Sequence, residues 1–139
     1  MLFRSEWTPP GGVIDHGETV TQGISREVHE ETGLHVPKWD ERHYLVTVTA
    51  PDMGWEMTVE SWFTTVAHGT ISLNDPDRIV EQVMWVDLVD VEALLADSPP
   101  WVRVPLTAWV MQGLQPMPTY SFHVYGADRT TARIEQRAP

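Results

Sequence analysis

The segment from Gly12 to Leu34, GVIDHGETVTQGISREVHEETGL, constrains this chain most, because it predicts one short helix with acidic and basic side chains at fixed offsets. Thr19 can cap the first turn, and Gln22 follows three residues later in a capping-box arrangement. Gly33 suits the left-handed conformation in which many helices end. The sequence therefore predicts a helix from about Val20 to Thr32.

The glutamates of this helix lie on or next to its apolar side. At 3.6 residues per turn, Val20, Ile24 and Val28 form one apolar stripe. Three carboxylates lie beside, within or on the flank of that stripe and are predicted to face the body of the protein: Glu27, Glu31 and Glu30. The opposite side is already polar and is predicted to face solvent, so a merely solvated acidic surface explains the glutamates poorly: Gln22, Ser25, His29 and Thr32 lie there.

Three carboxylates held close together repel one another, and like charges one turn apart destabilise a helix. A hard divalent cation would neutralise them, because Mg²⁺ prefers carboxylate and carbonyl oxygens and is often held together with substrate phosphates. Arg26 is placed to orient one carboxylate from the side. Before the helix, the glycines of Pro9-Pro10-Gly11-Gly12 allow the backbone to approach a metal or a phosphate closely.

These residues resemble the Nudix hydrolase box, G-x5-E-x7-R-E-U-x-E-E-x-G-U with U aliphatic, without a substitution. Trp7 and Pro10-Gly11 also resemble the W-x-x-PG that leads into this box. The resemblance implies an α/β/α sandwich with a mixed sheet, and hydrolysis of a diphosphate linkage in a nucleoside diphosphate derivative with Mg²⁺ or Mn²⁺. The box positions are filled by Gly12, Glu18, Arg26, Glu27, Val28, Glu30, Glu31, Gly33 and Leu34.

The resemblance also implies roles for individual residues. Arg26 would brace a glutamate, Gly11 would lend its backbone carbonyl to the metal, and Gly12 would lie against the substrate. Glu18 is more often structural in this family. The metal ligands would be Glu27, Glu30 and Glu31.

Phosphate anhydride cleavage also needs a base for the attacking water, either a box glutamate or a more distant carboxylate. Glu81 is the distant candidate, because it precedes Val83–Leu88, which resembles the strand that many relatives place after an acidic residue. Glu56 and Glu60 are lesser rivals. The alternative interpretation is that Glu81 is one solvated acid among several in an acidic loop, with Asp75, Asp77 and Asp87 nearby.

The composition predicts one enzyme domain that spans residues 1–139. Nine basic and twenty acidic residues give a net charge of −11, which disfavours nucleic acid and anionic membranes as partners and favours a small-molecule substrate. The chain has no cysteine, and no apolar run approaches the roughly 20 residues of a membrane span. These features predict a cytoplasmic protein.

Further along, His43–Ala50 and Trp55–Val66 are predicted to form an antiparallel hairpin. Trp62 leaves the main apolar face of the second strand, so it either stacks on the substrate base or belongs to the core. Two helices are predicted at Val89–Ala96 and Val102–Gln112, the second with Pro105 in its first turn and Gly113 at its end.

Both ends depart from the family pattern. Only Met1 to Glu6 precede the W-x-x-PG turn, so either the sheet lacks its first strand or the natural chain starts upstream. A C-terminal hairpin is predicted at about residues 119–137, outside the basic family core, where it would cover an open edge or pair with a second subunit. Exchange of this hairpin between identical subunits would give a homodimer.

Two functions of different classes therefore remain. The first is a Mg²⁺-dependent hydrolase of a nucleoside triphosphate or an ADP-ribose-like compound, with a triphosphate slightly preferred because the chain is small. The second is a non-catalytic module that binds nucleotide and metal. An isoprenoid diphosphate isomerase is disfavoured, because its reactive cysteine is missing.

Overall fold

The computed structural model describes residues 6–73, 76 and 80–138. Among them, no helix has the length and apolarity that crossing a membrane requires. A short 3₁₀ turn at Leu88–Asp90 precedes the second α-helix. In chain order the elements are α1 (Val20–Thr32), β1 (Glu41–Ala50), β2 (Trp55–Phe63), α2 (Val91–Leu94), α3 (Pro100–Met111), β3 (Tyr120–Tyr125) and β4 (Arg133–Arg137).

The strands form one open, mixed sheet in the order β2-β1-β3-β4. β1 and β3 run parallel, with Val46 opposite Tyr120, whereas β3 and β4 run antiparallel. The amide of Asp40 donates to the carbonyl of Phe63 over 2.8 Å, so the start of β1 meets the end of β2. This confirms the predicted first hairpin and the mixed α/β fold, although β2 ends at Phe63 and not at Val66.

The chain divides into two compact units. The first contains the described residues of 1–8, 42–62 and 87–139, and the second contains those of 9–41 and 63–86. The chain passes between the units four times, so neither unit is a continuous segment.

The core of the first unit lies on one face of the sheet. Alternate residues of β1 are buried there, as expected for a strand with one face in a core. The parallel register places Phe122 and Val124 of β3 on the same face, and Trp101, Val104 and Trp109 of α3 pack against it. The buried set consists of Tyr44, Val46, Val48, Ala50, Phe122 and Val124.

The second unit contains α1 and a smaller core. Val28, Leu34 and Val36 are buried together, with Ile24, Trp39 and Ile71 packed around them. The predicted capping box is present: the Gln22 amide donates to the Thr19 hydroxyl, and the Gln22 side chain accepts from the Thr19 amide. Gly33 is left-handed, with φ of 79°. The predicted helix, from Val20 to Thr32, is confirmed at both ends.

The prediction that Ser25 and Thr32 face solvent is wrong. Thr32 is 5% exposed, and its hydroxyl donates to the Val28 carbonyl over 2.6 Å and accepts from the Leu34 amide. The Ser25 hydroxyl is half-buried, donates to the Val36 carbonyl and accepts from the Trp39 indole. Small hydroxyls can enter a core when each has a nearby partner, which helical periodicity alone does not reveal.

Two predictions for the second half of the chain, a strand and the start of a helix, were also wrong. Residues 83–87 form no strand, and the Trp85 side chain is 73% exposed. α3 begins at Pro100, two residues before the predicted start, so the buried Pro105 lies in the second turn of the helix. A proline can open a helix, and here Pro100 does so.

The C-terminal hairpin is present but is not an accessory element. β3 lies in the interior of the sheet between β1 and β4, and Phe122 and Val124 are 3% exposed. Among the described residues 6–40, none belongs to a strand of the sheet. β3 therefore supplies a parallel neighbour for β1 from the end of the chain.

Candidate active site

One guanidinium organises the acidic residues of α1 and of the loop before it. Nε of Arg26 donates to Oε2 of Glu18 over 3.2 Å, and Nη2 donates to Oε1 over 2.8 Å. This two-point contact is the geometry in which arginine and carboxylate bind most strongly. Glu18 therefore braces Arg26 from the loop that precedes the helix.

The remaining N–H groups of Arg26 are also used. Nη1 donates to Oε1 of Glu27 at 2.9 Å and to Oε2 of Glu30 at 3.3 Å. Nη2 donates to the carbonyl of Val13 at 3.1 Å and lies 3.3 Å from a carboxylate oxygen of Asp15. Four carboxylates thus surround a single cation, and the site keeps an excess of negative charge.

The electrostatics of Glu18 and Arg26 follow from these bonds. The hydrogen bond from Arg26 holds the pKa of Glu18 below its ordinary value, and the Asp15 amide, which donates to Glu18 over 2.7 Å, lowers it further. The hydrogen bond to Glu18 in turn raises the pKa of Arg26 above its ordinary value. The bracing pair is therefore fully ionised at neutral pH.

The glycine turn, formed by Gly11 and Gly12, lies against two of the predicted metal ligands. The amide of Gly11 donates to Oε2 of Glu31 over 3.0 Å. A Cβ at Gly12 would lie 2.5 Å from the carboxyl carbon of Glu27, so a side chain here would have to displace that carboxylate. The turn and the helix therefore place backbone groups directly beside Glu27 and Glu31.

A hard divalent cation fits this donor set in chemistry and in charge. The donors are carboxylate oxygens, which Mg²⁺ and Mn²⁺ prefer, and only one arginine offsets them. In the described part of the chain, however, no three His, Asp or Glu side chains are grouped to hold one ion. Glu27 and Glu30 share one amino group of Arg26, while Glu31 is bonded to the Gly11 amide.

The other predicted residues lie in separate places. Gly33 ends α1, and Val28 and Leu34 belong to the core of the second unit. Glu81 is an exposed residue on irregular backbone in that same unit, without a strand after it. Trp62 is half-buried on β2 of the first unit, and its buried indole nitrogen has no hydrogen-bond partner among the described residues. The roles proposed for Glu81 and Trp62 stay predictions.

Two contacts of Arg26 were missed by the sequence analysis. Asp15 and the Val13 carbonyl both lie in the five-residue stretch of the box in which any residue is allowed. The only sequence feature that could have indicated the Asp15 contact was the position of this acid, three residues before Glu18. The missed residues complete the shell around the guanidinium.

Comparison with known proteins identifies the family of the chain. A model of the NUDIX domain matches residues 2–110, a region that ends before β3. The uncharacterized Nudix hydrolase YvcI of Bacillus subtilis is 27% identical over 93 residues, which are 66% of this chain and 57% of that protein. An 8-oxo-(d)GTP phosphatase of Mycolicibacterium smegmatis is 35% identical over 81 residues, which are 58% of this chain and 23% of that protein.

The chain therefore spans 57% and 23% of the lengths of these two relatives. Among solved structures, the MutT mutator protein of Bacillus halodurans is similar with a TM-score of 0.68 and 20% identity, over 94% of this chain and 82% of that one. At that identity the likeness shows the fold alone. Because the family model matches most of its length, the chain belongs to the Nudix hydrolase family.

Proposed function

We propose that this protein is a divalent-cation-dependent hydrolase that cleaves the diphosphate linkage of a nucleoside diphosphate derivative. The observation that carries the proposal is the excess of carboxylates gathered around Arg26, in a chain whose box is intact. Glu27, Glu30 and Glu31 would hold Mg²⁺ or Mn²⁺, together with the backbone carbonyl of Gly11. The cation, when bound, would neutralise charge on the phosphate oxygens.

The protein's own groups would perform the remaining steps. Arg26, fixed by Glu18, would orient Glu27 and Glu30 through the bonds described above. A box glutamate or Glu81 would accept a proton from the water that attacks phosphorus as the P–O–P bond breaks. Gly12 would let the phosphate chain approach the backbone closely, because no side chain projects there.

A nucleoside triphosphate is the preferred substrate within this class. Support comes from the relative in Mycolicibacterium smegmatis, an 8-oxo-(d)GTP phosphatase that is 35% identical over 81 residues. ADP-ribose-like compounds are the rival substrates. Trp62 is proposed as the platform for the base, because aromatic rings commonly stack on nucleobases.

The proposal also covers the kind of partner, the location and the oligomeric state of the enzyme. A net charge of −11 favours a small anionic substrate carried by a metal over nucleic acid or an anionic membrane. We propose that the protein is cytoplasmic. A homodimer is also proposed, because β4 is an edge strand with which a second subunit would pair. Size-exclusion chromatography with light scattering would measure the oligomeric state.

The test is product release from a panel of nucleoside triphosphates, ADP-ribose, diadenosine polyphosphates and sugar nucleotides. Each would be incubated with Mg²⁺, with Mn²⁺ or with EDTA, and products would be separated by chromatography. Metal-dependent cleavage of one class is expected. If the folded protein binds nucleotide and metal but releases no product from any substrate, the non-catalytic binding module is the correct function.

A further inference from the structure

The C-terminal hairpin carries a group of cationic and aromatic side chains on one face, here called the arginine patch: His123, Tyr125, Arg133 and Arg137. The β3–β4 register places Tyr125 opposite Arg133 and His123 opposite Glu135. The guanidinium carbons of Arg133 and Arg137 lie 5.0 Å and 5.6 Å from the centre of the Tyr125 ring. The His123 ring is 4.4 Å from the same ring.

The charge of this patch is not neutralised by the described chain. Arg133 and Arg137 are exposed, and neither is among the described ion pairs, which involve Arg26 and Arg42. Glu135 shares the face but lies opposite His123 and forms no described ion pair. In a chain of net charge −11, three of the nine basic residues are Arg129, Arg133 and Arg137. The patch is therefore locally positive on a protein that is otherwise strongly acidic.

Two guanidinium groups on one ring repel each other, and a bound anion would remove that repulsion. A carboxylate carries one negative charge and offers about four acceptor sites on two oxygens. A phosphate group carries more charge and more acceptor oxygens, so it can accept from two forks at once. The two positive charges beside Tyr125 therefore match the charge of a phosphate better than that of a carboxylate.

We propose that the arginine patch is a binding site for a phosphate group, either as inorganic phosphate or as the phosphate of a nucleotide. Arg133 and Arg137 would each donate to the phosphate, and the Tyr125 ring, against which His123 packs, would hold the guanidinium groups in place. The site lies in the first unit, on residues outside the box. Its ligand binding does not depend on hydrolysis.

The test uses the full chain labelled with ¹⁵N, in EDTA so that the box glutamates hold no divalent cation. Inorganic phosphate, AMP and acetate would be titrated separately while amide chemical shifts are followed by NMR. Shifts confined to residues of β3 and β4 are expected with phosphate and AMP, and not with acetate. Tighter binding of AMP would identify a nucleotide as the ligand, whereas equal affinities would identify the phosphate group alone.

Substitutions make the test specific. Arg133→Ala and Arg137→Ala should each weaken phosphate binding roughly tenfold, the usual effect of losing one charged hydrogen bond. Arg129→Ala is the matched control, because it removes the same charge from the same exposed hairpin outside the patch, and it should leave the affinity unchanged. Arg133→Lys keeps the charge and loses the fork, so an intermediate affinity is expected.

Three results would overturn the proposal. The first is a set of shifts located outside β3 and β4. The second is an equal loss of affinity in Arg129→Ala, which would show that net charge alone is responsible. The third is acetate binding as tightly as phosphate. Because no step requires turnover, failure here leaves the proposed hydrolase function untouched.

Discussion

Arginine serves opposite purposes in two regions of this molecule. On α1 and the loop before it, one arginine is shared by four carboxylates, so the region keeps an excess of negative charge, which suits the proposed cation. On β3 and β4, two arginines share one tyrosine ring without a described carboxylate partner, so the region keeps positive charge, which suits the proposed phosphate. The ratio of arginines to carboxylates, and not the presence of arginine, indicates the charge of the ligand.

The sharpest test of the acidic region is Glu31→Gln, which keeps the side chain's shape and removes its charge. If Glu31 holds the catalytic metal, the rate should fall by about 10³-fold or more. Steady-state kinetics on the best substrate would measure this, and an unchanged Tm would show that the fold persists. Glu92→Gln, an exposed glutamate on α2, is the matched control, and a mutant of Glu31 with near-normal rate would refute the assigned role.

Arg26→Ala should have the next largest effect. It frees Glu18, Glu27 and Glu30 from their shared donor, and misplacement of catalytic groups by about 1 Å can cost on the order of 10²-fold in rate. The readout is kcat/KM at saturating Mg²⁺. Arg42→Ala removes the exposed arginine paired with Glu60 at 3.0 Å and should leave kcat/KM unchanged. Equal losses in both variants would contradict the special role of Arg26.

Gly12→Ala tests the contact between the glycine turn and the helix. The added Cβ would lie 2.5 Å from the Glu27 carboxyl carbon, the end of a flexible side chain that would have to leave its bond with Arg26, so the free energy of unfolding should fall by about 1 kcal/mol or less. Urea unfolding would measure the change. Gly11→Ala is the control, because its Cβ would meet nothing within 4 Å. A Gly12 variant as stable as the Gly11 variant would mean that Glu27 moves aside freely.

The smallest predicted effect is on how the stability of the fold depends on pH. One carboxylate from each region is compared. The folded pKa of Glu18 is lowered by Arg26, and that of Asp128, in the β3–β4 turn, is lowered by the backbone and hydroxyl of Thr130. A carboxylate whose pKa is lowered by folding stabilises the fold at pH values above its ordinary pKa. That stabilisation is lost as the pH falls through the pKa of the folded state. Stability contributed by Glu18 and Asp128 should therefore decline below their ordinary values of 4.5 and 3.8.

Thermal unfolding from pH 7 to about pH 3 would measure both contributions. Glu18→Gln should flatten the decline that begins near pH 4.5, and Asp128→Asn should flatten the part nearer pH 3.8. Wild-type slopes in both variants would show that neither carboxylate is stabilised in its ionised form by the fold.

The elements that were predicted correctly depend on local sequence. Thr19, Gln22 and Gly33 define the ends of α1 through contacts within a few residues, so the helix follows from the chain itself. The bracing of a glutamate by Arg26 was likewise predicted from the box. Asp15 was missed because its contact with Arg26 arises from how the loop folds back, and the box leaves that position free.

The position of β3 could not be predicted for a different reason. Its pairing joins Val46 to Tyr120 across more than half of the chain, and local patterns show that a strand exists but not which neighbour it chooses. The irregular backbone at Val83–Asp87 has a similar origin, because its apolar residues read as a strand while Met84 and Trp85 are exposed. Strand propensity depends on a neighbour that the local sequence does not specify.

The interior position of β3 has a consequence for anyone who trims the chain to its recognisable part. The match to the family model ends at residue 110, but the residues from Val46 to Thr49 pair with a strand that begins at Tyr120. A fragment cut at residue 110 would leave that side of β1 without its partner. Exposed strand edges attract other strands, so such a fragment would be prone to self-association while still carrying every residue of the box.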